Sequence, residues 1–175
     1  MYRILQVAVA NDRGGLTGYI VNNYKKINKN EIQFDFITYD DYLDFSEEIE
    51  KMGAKIFYFP RPSHVLSYYT ALKKIHEQFD YTAIHFNLSY ANIIPIILAK
   101  MAGFKRIIVH SHSTGIDTPS AMTRMIKLMI HQVGKMLIPL LATDYFACSK
   151  LAARWMFPNS IIKRNKYEIL YNAIE

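Results

Sequence analysis

The chain has 175 residues, of which 51% are hydrophobic and 21% charged, with a single cysteine at Cys148. The length fits one domain of roughly 150 residues, and the apolar fraction excludes an intrinsically disordered chain. One cysteine excludes a disulfide framework and a cysteine-rich zinc site. The net charge of +6 favours anionic partners such as phosphates, nucleic acid or anionic lipid headgroups.

The amino terminus lacks the apolar core and the small-residue cleavage site of a secretory signal peptide. The best candidate for a membrane span, 125–143, is interrupted by Lys127, His131, Lys135 and Pro139. A span needs about 20 mostly uncharged residues. The sequence therefore predicts a cytoplasmic protein without a transmembrane helix.

Apolar runs typical of strands alternate with segments of helical periodicity along the whole chain. The predicted strands are 3–10, 32–37, 54–59, 81–86, 105–110, 144–148 and 167–170. The predicted helices are 16–29, 42–52, 63–79, 89–101, 118–141 and 149–157. We expect Ser63 and Thr118 to cap two of these helices and Pro95 to kink a third. The alternation implies an α/β fold with a mainly parallel sheet and right-handed crossovers.

A pair of glycines, Gly14 and Gly15, separates the first predicted strand from the first helix. In open parallel sheets, ligands bind at the carboxyl ends of the strands. Glycines at that position let backbone N–H groups approach an anion, and the helix dipole favours negative charge. A tight turn that merely needs glycine is an equally good interpretation. The pair matches neither a dinucleotide fingerprint nor a Walker loop.

Histidines follow two predicted strands at the same edge of the sheet. Alternation places His110 and His112 on one face and Ser111 on the other, while His85 and Asn87 end the neighbouring strand. Location at the strand ends favours a functional role for at least one histidine. A metal site is disfavoured because no further Cys or His motif completes a ligand set. Ordinary buried histidines and strand-end capping are the alternatives.

The segment 120–141 has two distinct faces. One face is apolar. The other face is basic and is formed by Arg124, Lys127, His131 and Lys135. Such a helix can lie on an anionic membrane, with Arg124, Lys127 and Lys135 in contact with it. The alternative, favoured by periodicity alone, is a surface helix whose apolar face packs on the sheet. Nucleic acid is disfavoured, because no basic run carries interleaved aromatics.

Five segments together resemble the amino-terminal half of a GT-B glycosyltransferase of family four, also called group 1. The closest likeness is to bacterial capsule and exopolysaccharide enzymes. The order and spacing of the segments are more specific than any one of them. In chain order they are GGLT at 14–17, YTAIHF at 81–86, IIVHSHS at 107–113, FACSKLA at 146–152 and ILYNAI at 169–174.

The resemblance implies a Rossmann-like, three-layer α/β/α domain and retaining transfer of a sugar from a nucleotide-sugar donor, without a metal or other cofactor. Gly14, Gly15 and Leu16 would contact the donor diphosphate, and His112 would contact the donor sugar or support charge at the reaction centre. The acceptor, a glycan or a lipid-linked sugar, would lie in this half of the enzyme. Its expected contacts are His85, Asn87, His110 and Ser113.

The resemblance also implies a second domain, which binds most of the nucleotide sugar and follows residue 175 in such enzymes. We therefore expect this chain to be one half of a transferase and inactive alone. Leu16 departs from the acidic residue that many relatives carry. Two other classes stay open: a non-enzymatic Rossmann-like module that binds a phosphorylated ligand or a partner, and a scaffold peripheral to the inner face of the cell membrane.

Overall fold

In a computed structural model, which describes residues 1–12 and 15–171, seven parallel strands form one sheet in the order β3-β2-β1-β4-β5-β6-β7. The strands are β1 (Tyr2–Val9), β2 (Ile32–Thr38), β3 (Ile56–Tyr58), β4 (Ala83–Leu88), β5 (Ile107–Ser111), β6 (Asp144–Ala147) and β7 (Glu168–Ile169). The helices are α1 (Gly15–Lys26), α2 (Ser46–Glu50), α3 (Val65–Gln78), α4 (Ile94–Ala102), α5 (Ala121–Leu141), α6 (Lys150–Met156) and α7 (Asn159–Ile162). The predicted α/β class and parallel sheet are confirmed.

Helices cover the sheet on both faces, as the strand order requires. The chain moves from β1 outward to β3, then returns to β4 and moves outward on the other side. Right-handed crossovers therefore put the first two helices on one face and the later ones on the other. Tyr24 of α1 and Ile49 of α2 pack in one apolar cluster, while Leu72, Ile96 and Ile138 pack in a second. We call the two faces the α1 face and the α4 face.

Two of the predicted helix starts are wrong. The N-cap of α5 is Ser120, not Thr118: its Oγ accepts the backbone N–H of Thr123 at 3.3 Å. The N-cap position of α3 is His64, not Ser63, and no side-chain hydrogen bond caps this helix. Ser63 lies two residues before α3 and Thr118 lies three residues before α5, so neither caps the free N–H groups of the first turn of its helix.

Two predictions of helix shape are also corrected. Pro95 lies in the first turn of α4, where its missing N–H removes no intrahelical bond, so it does not kink the helix. Within 42–52 only Ser46–Glu50 is helical. Leu43 and Phe45 precede that turn and are buried in the α1-face cluster, so their spacing reflects packing of an irregular segment.

A buried carboxylate holds the amino-terminal edge of the sheet. Asp35 on β2 is fully buried and accepts hydrogen bonds from Arg3 Nη2 at 2.8 Å, Tyr81 Oη at 2.6 Å and the backbone N–H of Lys55 at 2.7 Å. The Arg3 guanidinium also compensates its charge. These hydrogen bonds join β1 and β2 to the segments that lead into β3 and β4. They lie at the amino-terminal ends of the strands, opposite the ends where a ligand is expected.

Close contact of α5 with the loop that follows β4 depends on Gly134. A Cβ at this position would overlap the backbone carbonyl oxygen of Ala91. One turn earlier, His131 Nδ1 accepts the backbone N–H of Ala91 at 3.0 Å, and its ring stacks on Trp155 at 3.9 Å. A glycine and a histidine thus seat the helix, together with Ile138.

The variant Gly134→Ala should destabilise the protein by about 1–3 kcal/mol, because overpacking displaces α5 from its seat. Gly115→Ala is the matched control, since a Cβ there meets nothing within 4 Å. We expect its effect to stay within about 0.5 kcal/mol. Urea denaturation followed by circular dichroism measures both. Equal stability of the two variants would contradict the close contact.

Candidate functional site

Five polar side chains lie together on the α1 face of the central strands. Gln6 of β1 pairs in register with His85 of β4, and Asn87 pairs with His110 of β5. Paired residues of neighbouring strands share a face, as do residues two apart, so His112 joins the same group. We call Gln6, His85, Asn87, His110 and His112 the polar strip.

The predicted alternation at the end of β5 is confirmed by the contacts of this strand. The rings of His110 and His112 lie 3.9 Å apart on the α1 face. Ser111 points to the other face, where its Oγ donates to the carbonyl oxygen of Ala152 at 2.9 Å. The serine is therefore occupied in joining β5 to α6.

Two buried amides support His112. Asn87 Oδ1 lies 3.0 Å from His112 Nε2, and Asn87 Nδ2 donates to Gln6 Oε1 at 3.0 Å. Gln6 is 2% exposed and Asn87 is 5% exposed. Burying an amide without a hydrogen bond costs free energy, so these hydrogen bonds hold the three side chains, which come from three neighbouring strands, in one arrangement. His112 itself is half-buried.

Two further histidines are neutral. His85 and His110 stack with ring centroids 5.4 Å apart and an interplanar angle of 3°. Burial, with a smaller contribution from the charge of His112, lowers the pKa of His85 to about 3 and that of His110 to about 2. Within the described part of the chain, neither ring nitrogen of His110 has a hydrogen-bond partner. Neutral rings can stack closely because they do not repel each other.

Helix α1 starts beside the polar strip. Gly15 has φ +48°, a conformation that favours glycine, and no acidic residue lies in the first turn. One turn further along, Tyr19 lies 5.1 Å from the ring of His112 and 5.9 Å from that of His110. The N–H groups of Gly15 and Leu16 lie about one helical turn before Tyr19, which contacts the histidines. N–H groups at the start of a helix can bind an anion. Gly14 lies outside the described residues.

The structure separates the four predicted acceptor contacts. His85 and Asn87 line a cavity of about 280 Å³ between α1 and the sheet, together with Gln6, Tyr19 and Asn23. His110 is fully buried beneath its neighbours, so direct contact with an acceptor is not available to it. Ser113 shapes the following turn: its Oγ donates to the carbonyl oxygen of Gly115 at 2.9 Å.

Sequence analysis missed Gln6 and Tyr19. Gln6 lies inside the continuous apolar run of β1, where it was counted as part of a buried strand. Its signal was available: a buried amide in a central strand requires a partner, which implies a polar residue on the adjacent strand. Tyr19 lies within the predicted helix 16–29, and its contact with the histidines is known only once the fold is known.

Helix α5 is oriented opposite to the prediction from its periodicity. His131 of the basic face is fully buried, Lys127 Nζ lies 5.7 Å from the centre of the Tyr90 ring, and Lys135 Nζ donates to the carbonyl oxygen of Arg154 at 2.6 Å. Arg124 is exposed. The interpretation that the apolar face packs on the sheet is wrong. The exposed apolar side chains of α5 are Met122, Met125, Ile126, Leu128, Met129, Ile130, Val133, Met136 and Leu140.

Residues 1–12 and 15–171 contain neither a group of potential metal ligands nor a helix that could span a membrane. Three or more His, Cys, Asp or Glu side chains are nowhere grouped in this part of the chain so that they could hold a metal ion. No helix in the same ranges has both the length and the apolar character needed to cross a bilayer.

Acidification should destabilise the protein through His85 and His110. Because burial keeps both pKa values below the ordinary 6.5, the unfolded chain takes up protons that the folded chain does not as pH falls below about 6.5. The free energy of unfolding should then fall by up to about 1.4 kcal/mol per pH unit for each histidine. Urea denaturation between about pH 7.5 and pH 5 measures this slope.

The variant His85→Gln should lower that slope, whereas His64→Gln, at an exposed position before α3, should leave it unchanged. A slope that is the same in all three proteins would contradict a neutral, buried His85.

Comparisons with known proteins bear on the fold and the family of the chain. The chain is 30% identical over 177 residues to "Putative glycosyltransferase EpsF" of Bacillus subtilis, an alignment that covers 99% of this chain and 45% of that protein. Its fold is similar to MurG of Acinetobacter baumannii, with a TM-score of 0.64, 10% identity and coverage of 100% of this chain and 46% of that one. HepE of Anabaena, solved in complex with UDP-glucose, gives a TM-score of 0.66 and 15% identity, and the match covers 100% of this chain and 45% of HepE.

The structural matches confirm the Rossmann-like, three-layer architecture and the likeness to the amino-terminal half of GT-B enzymes. The chain spans about half the length of the relatives it matches. The sequence model of Glycosyltransferase Family 4 matches residues 13–175. This chain therefore belongs to Glycosyltransferase Family 4.

Proposed function

We propose that the protein is the acceptor-side half of a retaining glycosyltransferase. It would transfer a sugar from a nucleotide-sugar donor to a glycan or lipid-linked acceptor in capsule or exopolysaccharide biosynthesis. One observation carries the proposal: His112, held by Asn87, lies at the carboxyl ends of the strands beside the start of α1. Ligands of open parallel sheets bind at that edge.

The chemistry of the site suits transfer of a glycosyl group from a diphosphate. The N–H groups of the first turn of α1, at Gly15 and Leu16, would bind the diphosphate as it leaves with negative charge. His112 would contact the sugar or support the charge that develops at the reacting carbon. Fixed donors and acceptors in a water-poor site stabilise such charge more than water does. These steps use no metal ion.

The acceptor would enter the cavity between α1 and the sheet. This cavity combines amide and imidazole groups with the apolar side chains of Ile20 and Phe34, a mixture that suits the polar edge and apolar face of a sugar. The donor nucleotide would be held mostly by a further domain, since EpsF is more than twice as long as the alignment. UDP-glucose bound to HepE supports a nucleotide sugar as the donor class. We expect no transfer by the 175-residue chain alone.

In the protein expressed at its full natural length, His112→Ala should lower kcat by about 10²-fold or more, because a positioned acid–base or charge-stabilising group is lost. Transfer would be measured with a panel of nucleotide sugars and lipid-linked acceptors. His76→Ala is the matched control: it removes a half-buried imidazole that packs on Phe104 at the opposite face. Near-normal kcat in His112→Ala would remove His112 from the mechanism. The absence of transfer by the wild type with every donor would favour a non-enzymatic binding module.

We also propose that the exposed apolar side chains of α5 insert into the surface of an anionic membrane. Nine large apolar residues on one helix exceed the scattered exposure that is normal for a soluble surface. Arg124 and Lys127 flank them, and the chain carries a net charge of +6. Apolar insertion with basic flanks is the binding mode of interfacial helices. A site on the inner face of the cell membrane would bring the protein to a lipid-linked acceptor.

Replacing Met125 and Met129 by Asp should abolish binding to vesicles that contain phosphatidylglycerol, because each buried apolar side chain contributes about 1.5–3 kcal/mol. Co-sedimentation measures the bound fraction. Leu66→Asp is the control, because it changes an apolar side chain on α3 that is 77% exposed. This variant should bind the vesicles like the wild type. Combined Arg124→Gln and Lys127→Gln changes should weaken binding to anionic vesicles only. Lys135, which was predicted to contact the membrane, is kept because its Nζ donates to the carbonyl oxygen of Arg154. Binding unchanged by the two Asp substitutions would contradict insertion of α5.

A further inference from the structure

We propose that Asn87 is a positioning residue that holds His112 as the tautomer with its proton on Nε2, and that the backbone carbonyl of His85 sets the orientation of the Asn87 amide. This inference rests on the proposed function of His112. It concerns which nitrogen of His112 carries the proton. The answer follows from the donors and acceptors of three side chains and one backbone carbonyl.

The orientation of the Asn87 amide is determined by its surroundings. Its Nδ2 lies 3.0 Å from Gln6 Oε1 and 3.4 Å from the backbone carbonyl oxygen of His85. A backbone carbonyl can only accept a hydrogen bond. The nitrogen of the amide must therefore face His85, and Oδ1 must face His112. The flipped amide would put two oxygens together.

The orientation of Asn87 in turn determines the proton on His112. Asn87 Oδ1 is an acceptor and lies 3.0 Å from His112 Nε2. An acceptor requires a donor, so Nε2 carries a hydrogen. In a neutral imidazole only one nitrogen is protonated, which leaves the lone pair of His112 on Nδ1. The ring can then accept a hydrogen bond or a proton at Nδ1 and cannot donate one there.

Burial makes this arrangement selective. Gln6 and Asn87 belong to β1 and β4, the central pair of the sheet, and both side chains are almost inaccessible to water. Water therefore cannot easily replace a missing hydrogen-bond partner. Turning the Asn87 amide would leave its own polar groups and those of its neighbours unpaired. The sheet thus sets the tautomer by the same hydrogen bonds that join its strands.

The direct test is ¹⁵N NMR of the protein at its full natural length, labelled at histidine and measured near neutral pH. His112→Gln identifies the resonances of His112 by their loss. We expect Nδ1 of His112 to give the signal of an unprotonated nitrogen and Nε2 that of a protonated one. A protonated Nδ1 with an unprotonated Nε2 in the wild type would overturn the proposal.

Variants of Asn87 separate positioning from structural support. Asn87→Asp keeps an acceptor towards Nε2, so Nε2 should stay protonated, while the added negative charge favours a second proton at Nδ1. Asn87→Leu removes the acceptor and should give a mixture of tautomers, with kcat at least about tenfold lower and the donor KM little changed. A merely structural role would change stability without moving the ¹⁵N signals. An unmixed Nε2–H tautomer in a folded Asn87→Leu protein would also overturn the proposal.

Failure of this inference is distinguishable from failure of the proposed function. Loss of transfer in His112→Ala with normal transfer and an unchanged tautomer in Asn87→Leu overturns the role of Asn87 alone. Full transfer by His112→Ala overturns the function of the site, and with it any catalytic meaning of the tautomer.

Discussion

Alternation along parallel strands is the constraint on which the site depends. In register, β1, β4 and β5 place Leu5, Ile84 and Val109 in the α4-face cluster, and they place Gln6, His85 and His110 on the α1 face. Gln6, His85 and His110 therefore lie side by side although the chain separates them widely. A slip of one residue in any of these strands would move its polar groups to the opposite face. The register thus fixes the site and the apolar core together.

The polar strip survives within a hydrophobic sheet because its groups are paired or neutral. Asn87 and Gln6 satisfy each other, and burial keeps the His85 and His110 side chains uncharged by lowering their pKa. The opposite edge differs: there the carboxylate of Asp35 accepts hydrogen bonds from the guanidinium of Arg3, the hydroxyl of Tyr81 and the backbone N–H of Lys55. At the amino-terminal edge of the sheet, the charged groups pair with each other. At the carboxyl-terminal edge, the polar groups can contact a ligand.

The sequence predicted the fold class, the parallel sheet and the common face of His110 and His112, because these follow from local periodicity. It did not predict Gln6, since an amide in an apolar run has meaning only once its partner strand is known. The sequence also did not predict which face of α5 packs on the rest of the protein. Periodicity shows that a helix has two faces, but Gly134 and His131 decide which one packs, through contacts with Ala91 and Trp155 that are distant in sequence.

The central claim is that a sugar binds beside His112, at the carboxyl ends of β4 and β5. A crystal structure of the protein at its full natural length, soaked with a nucleotide sugar and an acceptor, tests it most directly. The account predicts a sugar oxygen within about 2.6–3.2 Å of the His112 imidazole and diphosphate oxygens at the N–H groups of Gly15 and Leu16. A sugar bound elsewhere, with His112 untouched, would contradict it.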